Sequence, residues 1–93
     1  MDEYQVINNE AQMQFQIPVN GEIALLEYRF YKGALALMHT EVPENLEGKG
    51  FASHLSHYAF ECAKNNNKKV RVYCSFAKTY LEKHPEYISL VDK

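Results

Sequence analysis

The sequence predicts one domain of the α/β class, in the α+β sense, over residues 1–93: a mainly antiparallel sheet, one parallel strand pair and two helices. Apolar and polar residues alternate in the first part of the chain, which is the period of a half-buried strand. After Pro43 the apolar residues recur at helical spacing instead. The chain of 93 residues is long enough for one hydrophobic core and too short for two.

The first half of the chain carries three strand patterns joined by turn signals. The segment QMQFQIPV places its apolar residues on one face and its glutamines on the other. Asn20-Gly21 separates it from the run EIALLEYRFY and predicts a tight hairpin, because both turn positions need a positive φ. Gly33 marks a second hairpin. The segment ALALM that follows is apolar on both faces, which predicts a central strand covered on both sides.

The second half alternates helix, strand and helix. Apolar residues recur at helical spacing from Phe51 onward, which predicts a helix of about four turns that ends in the asparagines of NNN. KVRVY is a short strand. SFAKTYLEK predicts a second amphipathic helix that ends before Pro85, with four residues facing inward. Those four are Phe76, Ala77, Tyr80 and Leu81. The tail HPEYISLVDK is weakly patterned.

The connections bring several polar residues to one edge of the predicted sheet. A strand, a helix and a further strand imply a crossover, so the strand at Val70 lies parallel to the strand at Ala34. Parallel strands end at the same edge, which carries His39-Thr40 on one strand and Tyr73-Cys74 on the other. The Gly-Lys-Gly turn before the first helix opens at this edge as well.

The turn Gly48-Lys49-Gly50 has the chemistry of an anion-binding helix start. Glycines let the backbone approach an anion closely, and the free N–H groups and the dipole of the helix favour negative charge there. Ser53 adds a hydroxyl in the first turn. On local chemistry alone a plain turn without a ligand is the commoner explanation of Gly-x-Gly before a helix.

The longer stretch GKGFASHL resembles the acetyl-CoA pyrophosphate loop of the GNAT superfamily of N-acetyltransferases. The usual pattern of that loop is Gln or Arg, two residues, Gly, one residue, then Gly or Ala. Gly50 and Ala52 match this pattern, whereas Glu47 stands where Gln or Arg is usual. The segment from His39 to Tyr87, with HTEVP, the glycine loop and a downstream cysteine, resembles the small YjdJ-type branch of the superfamily.

The resemblance implies a minimal GNAT fold, with the parallel strand pair at the cofactor cleft, acetyl-CoA as cosubstrate and an amine as acceptor. Pantetheine lies between the two parallel strands in this superfamily, and the pyrophosphate lies on the glycine loop. The strands that usually follow the last helix and cover the acceptor are missing here. The cofactor-binding residues that the resemblance implies are Glu41, Val42, Glu47, Gly48, Lys49, Gly50, Phe51, Ala52 and Ser53.

Three residues are candidates for the chemistry of acetyl transfer. Cys74 precedes a helix, whose dipole favours a thiolate that takes the acetyl group; the alternative is a small buried hydrophobic residue. His39 is a candidate base or partner of Cys74, or only a strand cap. The last helix of larger relatives carries Asn, Ala and Tyr at three-residue spacing, and Cys74, Ala77 and Tyr80 have that spacing here. Tyr80 is therefore a candidate proton donor, or else a core aromatic residue.

Composition and charge argue against several classes of protein. The formal net charge is −2, and the basic segment KNNNKKVR has no interleaved aromatic face, so nucleic-acid binding is not expected. No apolar run is long enough to cross a membrane, and the first residues lack the pattern of a signal peptide. Two cysteines, Cys62 and Cys74, make no disulfide framework, so a cytoplasmic location is expected. His54 and His57 have metal-ligand spacing with Glu61, but a solvated helix face is the expectation and no metal is predicted.

The sequence therefore predicts a cytoplasmic acyltransferase that moves an acetyl group from acetyl-CoA to an amine of a small molecule or a protein. Transfer is either direct or through an acetyl-cysteine. An acyl-CoA-binding module without efficient catalysis, presenting CoA to a partner, is the alternative. A third hypothesis is a structural domain whose glycines only turn the chain.

Overall fold

A computed structural model describes residues 4–92 of the chain. These residues form one sheet in the strand order β1-β2-β3-β4-β5. The strands are β1 (Ile7–Asn9), β2 (Gln14–Val19), β3 (Glu22–Tyr31), β4 (Ala34–Glu41) and β5 (Val70–Val72). The α-helices are α1 (Phe51–Asn65) and α2 (Ser75–Lys83), and two 3₁₀-helices span Glu44–Leu46 and Pro85–Leu90. The predicted mixed α/β class is confirmed.

Two short hairpin turns join β2, β3 and β4. Asn20 has φ 50° and Gly21 has φ 84°, as an Asn-Gly turn requires. Lys32 with φ 51° and Gly33 with φ 80° repeat this geometry between β3 and β4. Turns of this kind match the right-handed twist of the strands that they connect. Both predicted hairpins are confirmed.

One hydrophobic core joins the sheet to both α-helices. The inward residues of the strands, such as Phe15 and Leu26, are buried against residues of α1 such as Leu55. Phe60 of α1 stacks on Tyr80 of α2 with 5.9 Å between ring centroids. Each large apolar side chain buried in this way contributes about 1.5–3 kcal/mol relative to its exposed state. The core therefore fixes where α1 and α2 begin relative to the sheet.

β4 lies inside the sheet, between β3 and β5. Residues 34–37 are each at most 2% exposed, although successive strand residues point to opposite faces. β4 pairs with β3 in the antiparallel direction and with β5 in the parallel direction, with Leu35 opposite Val70. The predicted central strand and the predicted parallel pair are confirmed.

The structure differs from the sequence predictions in the C-terminal quarter. The prediction that Phe76 faces inward is wrong: its side chain is 51% exposed. Ala77 and Tyr80 are buried in the core, whereas Phe76 lies in the first turn of α2, where the helix begins just after β5. The weakly patterned tail forms the 3₁₀-helix Pro85–Leu90, and Tyr87 in this helix is buried against the aromatic residues of both α-helices.

Candidate functional site

β4 and β5 separate at one end of their parallel pair. The backbone N–H of Tyr73 donates to the carbonyl of Leu37 at 2.9 Å, and the parallel register ends at Leu37. β4 continues alongside β3 to Glu41, with Met38 as an extra residue in that register. An extra residue bends the strand that carries it. The two parallel strands therefore diverge beyond Leu37, at the edge where the family resemblance implies the cofactor cleft.

Two adjoining cavities lie at the divergent end, and we refer to the two together as the cleft. Their volumes are about 440 Å³ and about 250 Å³, and Val42, Glu47 and Phe76 line both. The larger cavity is lined by Ile23, Thr40, Glu41, Val42, Pro43, Glu47 and Phe76. The smaller cavity is lined by Val42, Leu46, Glu47, Gly48, Gly50, Phe51, Ala52, Ser53 and Phe76.

The glycine turn borders the smaller cavity at the start of α1. Gly48 has φ 78° and Gly50 has φ 84°, in the left-handed region that favours glycine. Gly50 is the N-cap residue of α1; no side chain caps the helix, and its first turn holds no acidic residue. The first N–H groups of a helix have no partner within it, and the dipole is positive at that end. A cavity wall of this composition fits a phosphate group.

The structure gathers most of the predicted cofactor-binding residues around the cleft. Eight of the nine residues line one or both cavities, and Lys49 is the one that does not. The eight residues are Glu41, Val42, Glu47, Gly48, Gly50, Phe51, Ala52 and Ser53. Their role in binding acetyl-CoA stays a prediction.

Cys74 lies directly behind a hydroxyl group of the cleft wall. Its Sγ atom is 2.8 Å from Oγ1 of Thr40, and the two residues are 4% and 6% exposed. Thr40 lines the larger cavity, whereas Cys74 does not. Cys74 is also the N-cap residue of α2, with no side-chain cap bond there. Thr40 therefore lies between the thiol of Cys74 and the cleft.

His39 lies on the other face of β4. Its ring Nε2 is 3.4 Å from Oε1 of Glu41, and its side chain is 56% exposed. Successive strand residues point to opposite faces, so His39 and Thr40 project to different sides of the sheet. The partner of Cys74 in the structure is thus Thr40, and the proposed contact between His39 and Cys74 is not formed.

Tyr80 belongs to a group of side chains between α1, α2 and the second 3₁₀-helix. Its hydroxyl is 2.9 Å from Nδ1 of His57, and its ring stacks on His84 with 4.1 Å between centroids. Burial raises the pKa of Tyr80. Tyr80 does not line the cleft, and its hydrogen-bond partner is His57 rather than Cys74 or His39. We refer to Phe60, Tyr80, Tyr87, His57, Glu61 and His84 as the aromatic cluster.

The polar side chains of the aromatic cluster form hydrogen bonds with one another. The hydroxyl of Tyr87 donates to Oε2 of Glu61, and this hydrogen bond lowers the pKa of Glu61. Burial and the same hydrogen bond raise the pKa of Tyr87 above its usual range. His57 and Glu61, which the sequence places on a solvated helix face, therefore bind the tyrosines of the C-terminal segment.

A third cavity, of about 240 Å³, lies between the sheet and the C-terminal part of α1. Phe15, Tyr28, Phe30 and Cys62 are among its wall residues. It contains none of the predicted site residues and no helix start. The cleft is the candidate functional site because it joins the glycine turn and the start of α1 to the end of β4, on grounds of chemistry rather than of volume.

Two classes of feature are not found in the described part of the chain. Within residues 4–92 no group of three or more His, Cys, Asp or Glu side chains is arranged to hold a metal ion. No helix in the same range combines the length and the apolar composition that a membrane span requires.

Five residues that line the cleft were not among the predicted cofactor-binding residues: Ile23, Thr40, Pro43, Leu46 and Phe76. A signal for Thr40 was present, because strand alternation separates it from His39 and turns it toward the helices. Phe76 was assigned to the core because it is an aromatic residue next to Ala77 in an amphipathic helix. Its position in the first turn of α2, beside the strand end, was the available signal for a place in the cleft.

Comparison with known proteins identifies a family that matches most of the chain. The family model described as GCN5-related N-acetyl-transferase matches residues 14–90. Protein NATD1 of Gallus gallus is 31% identical over 84 residues, which cover 87% of this chain and 76% of the relative. Protein NATD1 of Homo sapiens is 30% identical over 83 residues, which cover 86% of this chain and 74% of the relative.

A solved structure shares the fold. It is the NMR solution structure of a GCN5-like protein from Staphylococcus aureus, with a TM-score of 0.73 and 32% sequence identity. The match covers 99% of this chain and 91% of that one. The likeness therefore extends over the whole sheet and both α-helices.

Proposed function

The chain belongs to the GCN5-related N-acetyltransferase family, and from this premise we propose that it binds acetyl-CoA in the cleft and transfers the acetyl group to an amine. One observation carries the proposal: an uncapped helix start between two glycines of positive φ borders a cavity beside the divergent strands. Family members generally use acetyl-CoA as cosubstrate, and the geometry of the cleft suits a phosphate at one end.

The chain's own residues divide the binding of acetyl-CoA between the two cavities. The backbone of the run from Gly48 to Ser53 holds the pyrophosphate, since its N–H groups are free and the helix dipole favours negative charge. The backbone near Glu41 and Val42 holds pantetheine in the larger cavity. Glu47 lines both cavities and brings a carboxylate close to the phosphates, so it weakens binding.

Acetyl transfer then needs a free lone pair on the amine, a donor to the developing oxyanion and a proton for the leaving thiolate. Acetyl-CoA supplies an activated thioester. His39, paired with Glu41 on the exposed face, is the candidate that takes a proton from the amine. Cys74 is the candidate acceptor in a covalent route: its thiolate Sγ bonds to the acetyl carbon as the thioester's sulfur–carbon bond breaks, and the departing CoA sulfur takes the electron pair and then a proton from water.

The test is the release of CoA from acetyl-CoA, followed by chromatography, with a panel of small amines, polyamines and lysine-containing peptides. We expect turnover that depends on the amine and is lost in a Gly50 variant with a bulky side chain. Full turnover of Cys74→Ala would remove the covalent route and leave direct transfer.

An acyl-CoA-binding module without efficient catalysis is a second candidate function. The observation that favours it is the hydroxyl of Tyr80, which is bonded to His57 and does not line the cleft. The proton donor that the family resemblance assigns is therefore engaged elsewhere. Saturable binding of acetyl-CoA without CoA release for any amine in the panel would support this second function, and robust turnover would remove it.

A further inference from the structure

Thr40 is the residue through which the buried thiol of Cys74 meets the cleft. Oγ1 and Sγ are 2.8 Å apart, and 34 residues of sequence separate the two side chains. Both are almost completely buried, so water does not compete for the contact. A buried hydroxyl and a buried thiol that face each other satisfy each other's hydrogen bonding, and neither atom is left without a partner.

Either atom of this pair can donate the hydrogen bond, and the surroundings of the sulfur favour the hydroxyl as the donor. Cys74 is the N-cap residue of α2, a helix of nine residues with no acidic residue in its first turn. The positive end of that helix favours negative charge on the sulfur. A sulfur that carries negative charge accepts hydrogen bonds, whereas the hydroxyl of Thr40 can rotate to donate.

We propose that Thr40 is the positioning residue for Cys74: its hydroxyl donates to Sγ, holds the sulfur behind the wall of the cleft and favours the thiolate. The exposed His39 does not perform this task, because its side chain lies on the other face of β4. The inference rests on the proposed function for the use of the thiolate in acetyl transfer. The contact itself acts on the thiol whether or not acetyl-CoA is bound.

The experiment measures the rate at which a small neutral thiol reagent, methyl methanethiosulfonate, modifies Cys74 in the absence of acetyl-CoA. Peptide mass spectrometry separates Cys74 from Cys62, so the second thiol of the same chain is an internal control. The variants are Thr40→Val, which keeps the shape and removes the hydroxyl, and Thr40→Ser, which keeps the hydroxyl. Thr79→Val is the matched control, since Thr79 is the other threonine of the chain and is exposed on α2.

Removal of the hydroxyl slows modification of Cys74 about tenfold at neutral pH, which corresponds to the loss of one hydrogen bond to a charged group. Thr40→Ser restores the rate, and Thr79→Val leaves it unchanged. A merely structural role predicts the opposite sign, because a loosened core exposes the thiol and speeds its modification. A rate for Thr40→Val that is unchanged or faster overturns the proposal, as does a slower rate that Thr40→Ser does not restore.

The outcome is independent of the proposed function. If the chain does not bind acetyl-CoA, the proposed function fails, while the rates of thiol modification still decide the role of Thr40. If acetyl-CoA is bound and turned over but Thr40→Val reacts like the natural chain, only the inference about Thr40 fails.

Discussion

α2 contributes Phe76 to the cleft and Tyr80 to the aromatic cluster, and the two regions differ in how far their polar and aromatic groups are already paired. In the aromatic cluster Phe60 is fully buried, and the hydroxyls of Tyr80 and Tyr87 are bonded to His57 and Glu61. In the cleft the start of α1 is uncapped, and Phe76 is 51% exposed.

The difference shows which groups remain free for a ligand. A side chain whose hydrogen bonds and ring faces are already used stabilises the fold, and a new partner must first displace the old one. Free N–H groups and an exposed ring beside a cavity can bind a ligand without first losing another partner. The family resemblance assigns Tyr80 to the chemistry, but its hydroxyl and its ring already have partners in the aromatic cluster.

The largest expected effect contrasts two phenylalanines. Phe60→Ala removes a ring that stacks on both Tyr80 and Tyr87, and we expect it to lower the free energy of unfolding by about 3–5 kcal/mol. Phe76→Ala removes a half-exposed ring, and we expect a change within about 0.5 kcal/mol. Urea unfolding followed by circular dichroism measures both. If Phe60→Ala and Phe76→Ala lower the free energy of unfolding equally, the aromatic cluster is no more important for stability than the cleft, and the comparison is wrong.

The same Phe76→Ala variant also tests whether the exposed ring of the cleft contributes to the binding of acetyl-CoA. Phe76 lines both cavities of the cleft, so its ring contacts a ligand that spans them. We expect the affinity for acetyl-CoA to fall about tenfold, which is the effect of losing one aromatic contact. Calorimetric titration measures it. An unchanged affinity would remove Phe76 from the binding site.

Glu47→Gln tests the electrostatics of the cleft. The carboxylate lies in the wall of both cavities, where it repels phosphate, and an amide of nearly equal shape does not. We expect a several-fold gain in affinity for acetyl-CoA, about 0.5–1 kcal/mol, which shrinks as salt rises. Glu44→Gln, in the neighbouring 3₁₀-helix but outside the cleft walls, is the matched control. A loss of affinity for Glu47→Gln would contradict this account.

The smallest expected effect concerns acid stability and the aromatic cluster. The hydrogen bond from Tyr87 lowers the pKa of Glu61 in the folded chain, so this carboxylate adds stability above its unfolded pKa. That stability is lost as the pH falls through the folded pKa. Tyr87→Phe removes the hydrogen bond, and we expect a shallower loss of thermal stability below about pH 5. Tyr80→Phe serves as the control, because its hydroxyl is bonded to His57 instead. An acid profile of Tyr87→Phe equal to that of the natural chain would show that this bond carries no stability.

The elements of the fold were predictable where one local signal dominates. The alternation around Phe15 and the Asn20-Gly21 turn fix a hairpin before any tertiary contact forms, since both depend on neighbouring residues. The 3₁₀-helix Pro85–Leu90 was not predictable in this way. Its only large buried residue is Tyr87, and the rings that pack on it belong to Tyr80 of the preceding helix and to Phe60 of α1, which is far away in the sequence.

The parts of the candidate site that are continuous stretches of backbone were predictable from the sequence, whereas its side-chain pairs were not. The glycine turn and the strand end at Glu41 are continuous stretches of sequence, and the structure brings them to one cleft. The pairing of Cys74 with Thr40, and of Tyr80 with His57, depends on the register and rotation of separate elements. A list of candidate residues does not contain that information.

Binding of acetyl-CoA to the glycine turn is the central claim, and calorimetric titration of two matched variants tests it most directly. Gly48 and Gly33 have φ 78° and φ 80°, and an added Cβ meets no atom within 4 Å at either position. Gly48→Glu and Gly33→Glu therefore carry the same charge and a similar backbone strain, about 1–3 kcal/mol each. Only Gly48 lies in the wall of the cleft.

The account predicts saturable binding of acetyl-CoA to the natural chain and to Gly33→Glu, and a loss of more than about tenfold in affinity for Gly48→Glu, because its carboxylate meets the phosphates. Equal affinities of the two variants, or no saturable binding to the natural chain, would contradict the claim and leave the glycines as a turn.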